Sequence, residues 1–176
     1  MNIKLIKIDK DDIELLRNWR MQENVTKYML TDPIITKESQ LEWFNKINND
    51  ESRIDYVIVC DDVKIGYYGI TNIDYEKSSC EIGFYIGDNK YRGKGLFRFI
   101  HEYAENIIFN KLNLKSITVN VLENNPIIKT YYELGFKDTN VPKNNIFKNG
   151  ESFVIINLNK QANKQTNKQA NKHNSY

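Results

Sequence analysis

The sequence predicts an α+β protein organised on one mixed sheet. Its β-like runs come in groups, and they do not alternate regularly with helices. The order read along the chain is a strand and helices, three consecutive strands, then helix and strand twice with a last strand. A third observation is the stretch Lys90 to Phe97, which holds two glycines and three basic residues between a β-like run, Cys80 to Ile86, and a helix-like run, Phe97 to Phe109. A chain of 176 residues with 40% hydrophobic and 12% aromatic content suits one domain with a sizeable core.

Asn2 to Ile8 alternates apolar and polar residues, the pattern of a short strand. Asp11 and Asp12 precede Ile13, Leu15, Leu16 and Trp19, which predicts an acid-capped amphipathic helix ending near Arg20. Val25, Tyr28, Met29 and Leu30 form a second helical patch that stops before Pro33. Thr36 with Ser39 and Gln40 forms a capping pattern for a helix whose apolar face is Leu41, Trp43, Phe44 and Ile47. Tyr56 to Cys60 and Val63 to Ile73 read as strands joined at Asp61-Asp62, a hairpin turn. After the polar loop Asp74 to Ser78 come the strand Cys80 to Ile86, the glycine turn, and a helix to about Lys111. Ser116 to Leu122 is a strand, Asn124-Asn125-Pro126 opens a helix that ends before Gly135, and Phe136 and Phe153 to Leu158 are the last strands. From Asn159 a repeat of Asn-Lys-Gln with Ala or Thr is too polar to bury a core, so the expected domain is 1–158 with a disordered tail at 159–176.

Net charge is +2, but Lys160, Lys164, Lys168 and Lys172 lie in that tail, leaving about −2 for the rest. Such a domain is not expected to bind nucleic acid. No apolar run approaches the roughly 20 residues of a membrane span, and no leader pattern is seen, so a cytoplasmic location off the membrane is expected. Cys60 and Cys80, both in β-like stretches, are expected as small buried thiols, which favours a reduced pair over a disulfide. No metal-ligand spacing, Ser-His-Asp set or nucleophilic cysteine pattern is present.

A strand, a basic two-glycine turn and a helix start suit a phosphate group, because the glycines allow close approach and the first helical amides point outward unsatisfied. Arg92-Gly93-Lys94-Gly95-Leu96-Phe97 resembles the acetyl-CoA pyrophosphate motif of the GNAT acyltransferase superfamily. Asn124 to Phe136 resembles that superfamily's second signature. Both motifs in this order, with a strand between them, are far more specific than either alone. The resemblance covers about Asn2 to Leu158 and implies a GNAT fold: a twisted mixed sheet of about seven strands flanked by about four helices. Phe97 departs from the motif, standing where Gly or Ala is usual; it is expected to contribute its amide only, its side chain pointing away from the phosphates. Leu15 to Arg20, Val25, Met29, Trp43-Phe44 and Ser79 to Tyr85 look like the branch that acetylates nucleotide-linked 4-amino-4,6-dideoxy sugars in the pseudaminic-acid pathway. The chain is also similar to spermidine and ribosomal-protein N-terminal acetyltransferases.

The resemblance implies acetyl-CoA as co-substrate, no metal, and a small-molecule amine acceptor, with a monomer or homodimer expected. It places the cofactor against Phe84, Tyr85 and Ile86. The amides of Gly93, Lys94, Gly95, Leu96 and Phe97 would hold the pyrophosphate, with Arg92 and Lys94 adding charge. Tyr131, four residues before Gly135, stands at the general-acid position, though a core aromatic would look the same in sequence. Glu81 shares a strand face with Gly83 and Tyr85 and is either the base or an orienting carboxylate. Asn124 either caps the last helix or bonds the cofactor's amide arm. Tyr28, Met29, Trp43 and Phe44 are candidates for the acceptor site, with core packing the alternative for each. His101 is expected on a helix surface. The leading expectation is direct transfer in a ternary complex to a nucleotide-linked amino sugar; the alternatives are polyamine or protein N-terminal acetylation, and an acetyl-CoA-binding sensor.

Overall fold

A computed structural model describes residues 1–162. Among the described residues there are eight strands: β1 Ile3–Lys7, β2 Ile54–Cys60, β3 Val63–Asp74, β4 Ser79–Ile86, β5 Ser116–Leu122, β6 Lys137–Asp138, β7 Asn145–Lys148 and β8 Glu151–Gln161. The five α-helices are α1 Ile13–Arg20, α2 Glu23–Thr26, α3 Lys37–Ile47, α4 Phe97–Glu105 and α5 Ile127–Glu133. The sheet runs β1-β2-β3-β4-β5-β8-β6, with β7 paired to β8. All neighbours are antiparallel except β4 and β5, which pair in parallel over only Ser79↔Ser116, Cys80↔Ile117 and Glu81↔Thr118.

Local chemistry accounts for most element ends. Asp61 and Asp62 both take left-handed φ, 46° and 64°, which matches the twist of a two-residue hairpin between β2 and β3. Thr36 and Ser39 exchange hydrogen bonds in a capping box at the start of α3. The first helical turn differs from expectation: Asp9, not Asp11 or Asp12, is the cap, accepting from the Asp11 amide at the head of a single 3-10 turn that leads into α1. β7 was absent from the expected seven strands. Its signal is Asn149-Gly150, left-handed at 52° and 82°, which closes the β7–β8 hairpin. β8 runs to Gln161, three residues beyond the expected boundary at Leu158, because β5 supplies partners for Asn159, Lys160 and Gln161. The rest of the expected tail lies outside the described residues.

Strand alternation divides the core between the two sheet faces. Ile58, Cys60, Tyr68, Cys80 and Ile82 pack against Phe97, Ile100 and Ala104 of α4 and Tyr131 of α5. Val57, Val59 and Tyr85 pack against Leu16 and Trp19 of α1, Val25 of α2, and Phe44 and Ile47 of α3. Both cysteines are buried and free. No described helix is long and apolar enough to cross a membrane.

Gly87 sets the seat of α1 on the end of β4. A Cβ there would lie 2.1 Å from Cδ2 of Trp19, inside the ring's contact surface. Gly87→Ala is therefore expected to lower stability by about 1–3 kcal/mol through overpacking, measured as a shift of the urea midpoint with an unchanged slope.

Candidate active site

The site begins where β4 and β5 part. After Glu81 the two strands share no register, so from Ile82 to Ile86 the β5-facing edge of β4 carries backbone groups with no strand partner. Phe84, Tyr85 and Ile86 lie on this free edge. Beyond it, a 3-10 turn at Asn89–Tyr91 is capped by Asp88, whose Oδ1 accepts from the Lys90 amide at 2.9 Å. Gly93 and Gly95 both stand at φ 68°, with open space where a Cβ would be. The amides of residues 93–97 have no acceptor among the described residues. Five free amides at the start of the nine-residue α4 fit a pyrophosphate.

The charged partners divide. Lys94 is exposed, its Nζ 5.5 Å from the Tyr91 ring centre. Arg92 donates from Nη2 to the Asn24 carbonyl of α2 at 2.5 Å, and its partial burial lowers its pKa from the ordinary value. The turn is thereby tied to the N-terminal helices.

Phe97 points away from the turn into the core, with 6% exposure. Its ring stacks on Phe84 at 4.3 Å between centres and meets the edge of Tyr131 at 5.0 Å. Tyr131 is 1% exposed and packs edge-on against Phe136 as well. Burial alone drives its phenol well above the ordinary tyrosine value, so the hydroxyl remains a proton donor throughout the working range. A phenol kept neutral can protonate a leaving thiolate; its partners here are aromatic, not charged.

His101 is corrected by the structure. It is fully buried beneath Phe97 and Phe136, with Nδ1 3.1 Å from the Tyr68 hydroxyl. Its Nε2 lies 3.0 Å from Glu105 Oε1, a close approach without the alignment of a hydrogen bond. Lys160 also reaches Glu105. Burial pushes the Glu105 carboxyl up, but His101 and Lys160 outweigh it and hold the group below its ordinary value. The signal was present in the sequence: His101 follows Phe97 by four residues and Ile100 by one, on the apolar face of α4.

On the opposite face of β4, Glu81 accepts from Asn120 Nδ2 at 2.9 Å and from Asn72 Nδ2 at 3.0 Å. Asn72, at φ 50°, sits in an irregularity of β3 between Thr71 and Asp74. Two amides fix the carboxylate at the fork while leaving lone pairs for a proton. Asn124 stays exposed; it is Asn125 that bonds the start of the last helix, its Oδ1 accepting from the Ile127 amide at 3.1 Å.

A cavity of about 510 Å3 opens on the Glu81 face, lined by Arg20, Trp43, Arg53, Tyr67, Tyr85 and, from one loop, Thr31, Pro33, Ile34 and Ile35 among others. The stacked rings of Tyr67 and Tyr85, 5.3 Å apart, form part of its wall. Arg53 grips Asp55 through two hydrogen bonds of 2.8 and 2.7 Å, which raise its pKa further, and Tyr67 also donates to Asp55. Arg20 spends Nη2 on Thr31, at 3.0 Å to the carbonyl and 2.9 Å to the hydroxyl. Its Nη1 is buried without a partner among the described residues, and desolvation lowers its pKa. Among the described residues no Asp or Glu lines the cavity. Of the four acceptor candidates, Trp43 lines it, Phe44 is core, and Tyr28 and Met29 are half-buried outside its lining. Arg20 and Arg53 had not been singled out. Arg20 had a signal, standing one turn after Leu16 on the buried face of α1; Arg53 had none, because only the fold brings it to the cavity.

A family model described as an acetyltransferase (GNAT) domain matches residues 2–137. The chain belongs to this family of acetyltransferases and is an acetyl-CoA-dependent N-acetyltransferase acting on an amine. It is 31% identical over 144 residues to p20, an uncharacterized N-acetyltransferase of Bacillus licheniformis, covering 77% of this chain and 79% of the relative. It is 25% identical to the spermidine N(1)-acetyltransferase of Escherichia coli K12, over 85% of this chain and 81% of the relative. To the acetyltransferase PseH of Campylobacter jejuni it is 28% identical, over 73% and 79%. The fold matches spermidine N-acetyltransferase from Vibrio cholerae in complex with CoA and spermine, with a TM-score of 0.84 at 24% identity over 90% of this chain and 95% of that one.

Tyr131→Phe is expected to reduce turnover on the order of 10²-fold, with acetyl-CoA affinity nearly unchanged by calorimetry. Equal losses of both would make Tyr131 a packing residue. Because burial raises its pKa, the phenol should add no basic limb to the rate profile below about pH 10, which a comparison of pH profiles of the parent and a Tyr131→Phe variant tests.

Proposed function

We propose that the acceptor is anionic, a nucleotide-linked 4-amino-4,6-dideoxy sugar, and that its amine takes the acetyl group directly in a ternary complex. The observation that carries this reading is the cavity lining: two arginines, one with an unpartnered nitrogen, beside Trp43 and two tyrosines, and no carboxylate. A buried guanidinium donor without a partner is costly unless a ligand or water satisfies it, and aromatic walls suit a base or sugar face. A polycation would meet Arg20 as a like charge, Arg53 being paired with Asp55.

Acetyl-CoA supplies an activated acetyl thioester. In this reading the free edge of β4 orients its amide arm and the amides of residues 93–97 hold its pyrophosphate. Glu81, fixed by Asn72 and Asn120, takes the proton of the acceptor ammonium. It stands about 13 Å along the strand from Tyr85, by the rise per residue and on the same strand face, and a Cβ at Gly83 between them would meet open space. Tyr131 gives a proton to the departing sulfur. Direct transfer is supported by the state of the thiols: burial pushes Cys80 up to about 12 and also raises Cys60, so neither is a ready nucleophile.

Polyamine acetylation is the second reading, favoured by the relatives named as spermidine acetyltransferases. Purified protein with acetyl-CoA, offered UDP- and dTDP-linked amino sugars beside spermidine, spermine and peptide amino termini, decides between them by product mass. Acetylation of nucleotide sugars is expected; turnover of polyamines alone would reverse the ranking. Arg20→Gln should raise the KM for the nucleotide sugar by about tenfold or more, the value of a charge-assisted hydrogen bond, leaving the KM for acetyl-CoA in place.

A further inference from the structure

Between Thr26 and Lys37 the chain has no helix or strand, yet this segment forms one wall of the cavity through Thr31, Pro33, Ile34 and Ile35. Apolar burial holds little of it in place, for Ile34 is 94% exposed and Leu30 is also exposed. Cations hold it instead. Arg17 Nη1 donates to the Ile35 carbonyl at 2.9 Å, and Arg20 grips Thr31. The third cation comes from the far end of the sequence. Lys148, on β7, donates to the carbonyls of Thr26 and Met29, the latter at 2.9 Å, and stands 2.9 Å from Asp32 Oδ1.

An ammonium has three N–H donors, and these three acceptors account for all of them. Its side chain is only 7% exposed, so the pairing is shielded from the solvent that weakens surface ion pairs. The next residue adds to the grip, Asn149 Nδ2 donating to Asp32 Oδ2 at 3.1 Å. Asp32 follows Thr31, the residue whose carbonyl and hydroxyl orient Arg20. A continuous chain of polar contacts thus runs from the β7–β8 hairpin through Asp32 and Thr31 to the guanidinium at the cavity wall.

We propose that Lys148 is a positioning residue for the acceptor's anionic group: by pinning Asp32 and the carbonyls of Thr26 and Met29, it holds Thr31 where Arg20 presents its unpartnered nitrogen. This rests on the reading that the cavity takes an anionic acceptor. Lys148 touches no reacting atom, so its effect falls on acceptor binding and not on the cofactor side.

The test uses inorganic pyrophosphate as the probe, titrated calorimetrically into the full chain with CoA saturating, so that the glycine turn is already occupied. The parent protein is expected to bind pyrophosphate and Arg20→Gln to lose it. Lys148→Met should weaken binding by about tenfold or more and Lys148→Arg by no more than about threefold, as loss or retention of a buried cation implies, while CoA affinity stays constant. Asp32→Asn, which leaves the two carbonyls paired with Lys148, should weaken pyrophosphate severalfold and guards against misfolding of the Lys148→Met variant. Unchanged pyrophosphate binding in Lys148→Met or in Asp32→Asn overturns the proposal. So does a parallel loss of CoA affinity, which would mark a general structural role, and so does a parent protein that binds no pyrophosphate. If the parent binds pyrophosphate and the variants weaken it, yet no nucleotide sugar is acetylated, the positioning role stands and the acceptor assignment falls.

Discussion

Three residues of parallel pairing join the two parts of the sheet, and the site depends on how that joint ends. Ser79 to Glu81 and Ser116 to Thr118 are the whole of it. The joint is reinforced by Thr118 Oγ1 donating to the Cys80 carbonyl at 3.2 Å and by Asn120 bonding Glu81. Past Thr118, β5 follows β8 while β4 stays with β3. The parting exposes a strip of backbone that a continuous sheet would have used up, and it fixes a carboxylate at the fork.

Aromatic packing on the other face gives the fork its second function. Phe97 fills the space between Phe84 of β4 and Tyr131 of α5, so the residue that departs from the glycine motif also sets the position of the phenol. Beneath it, buried His101 and Tyr68 and half-buried Glu105 and Lys160 form a chain of polar contacts. Arg98 joins α4 to α5 from outside, 3.1 Å from Glu133. The turn that suits a pyrophosphate and the helix that carries Tyr131 are therefore parts of one packed unit, consistent with the close approach that acetyl transfer requires.

The acceptor side is built differently. Its cavity lies on the opposite face of the sheet, floored by tyrosines of β3 and β4 and walled by a segment without regular structure that arginines and Lys148 hold by its carbonyls. Such a wall can change its selectivity through a few side chains without disturbing the sheet.

Local chemistry made much of this legible in advance. Local residue patterns placed β2 to β5, the Asp61-Asp62 turn and the Thr36 capping box, because each depends on residues within a few positions of one another. The two glycine-bearing motifs identified the acetyl-CoA family for the same reason. Long-range contacts decided the rest. That Tyr68 would meet His101, that β8 would find partners as far as Gln161, and that Arg53 and Arg20 would meet at one cavity all required the chain to be folded. A side chain's neighbours across 33 or 122 residues leave no period in the sequence. The sequence by itself determined the family, the sheet and the glycine turn; only the tertiary structure decided the lining of the cavity, because that lining is made of residues that folding alone brings together.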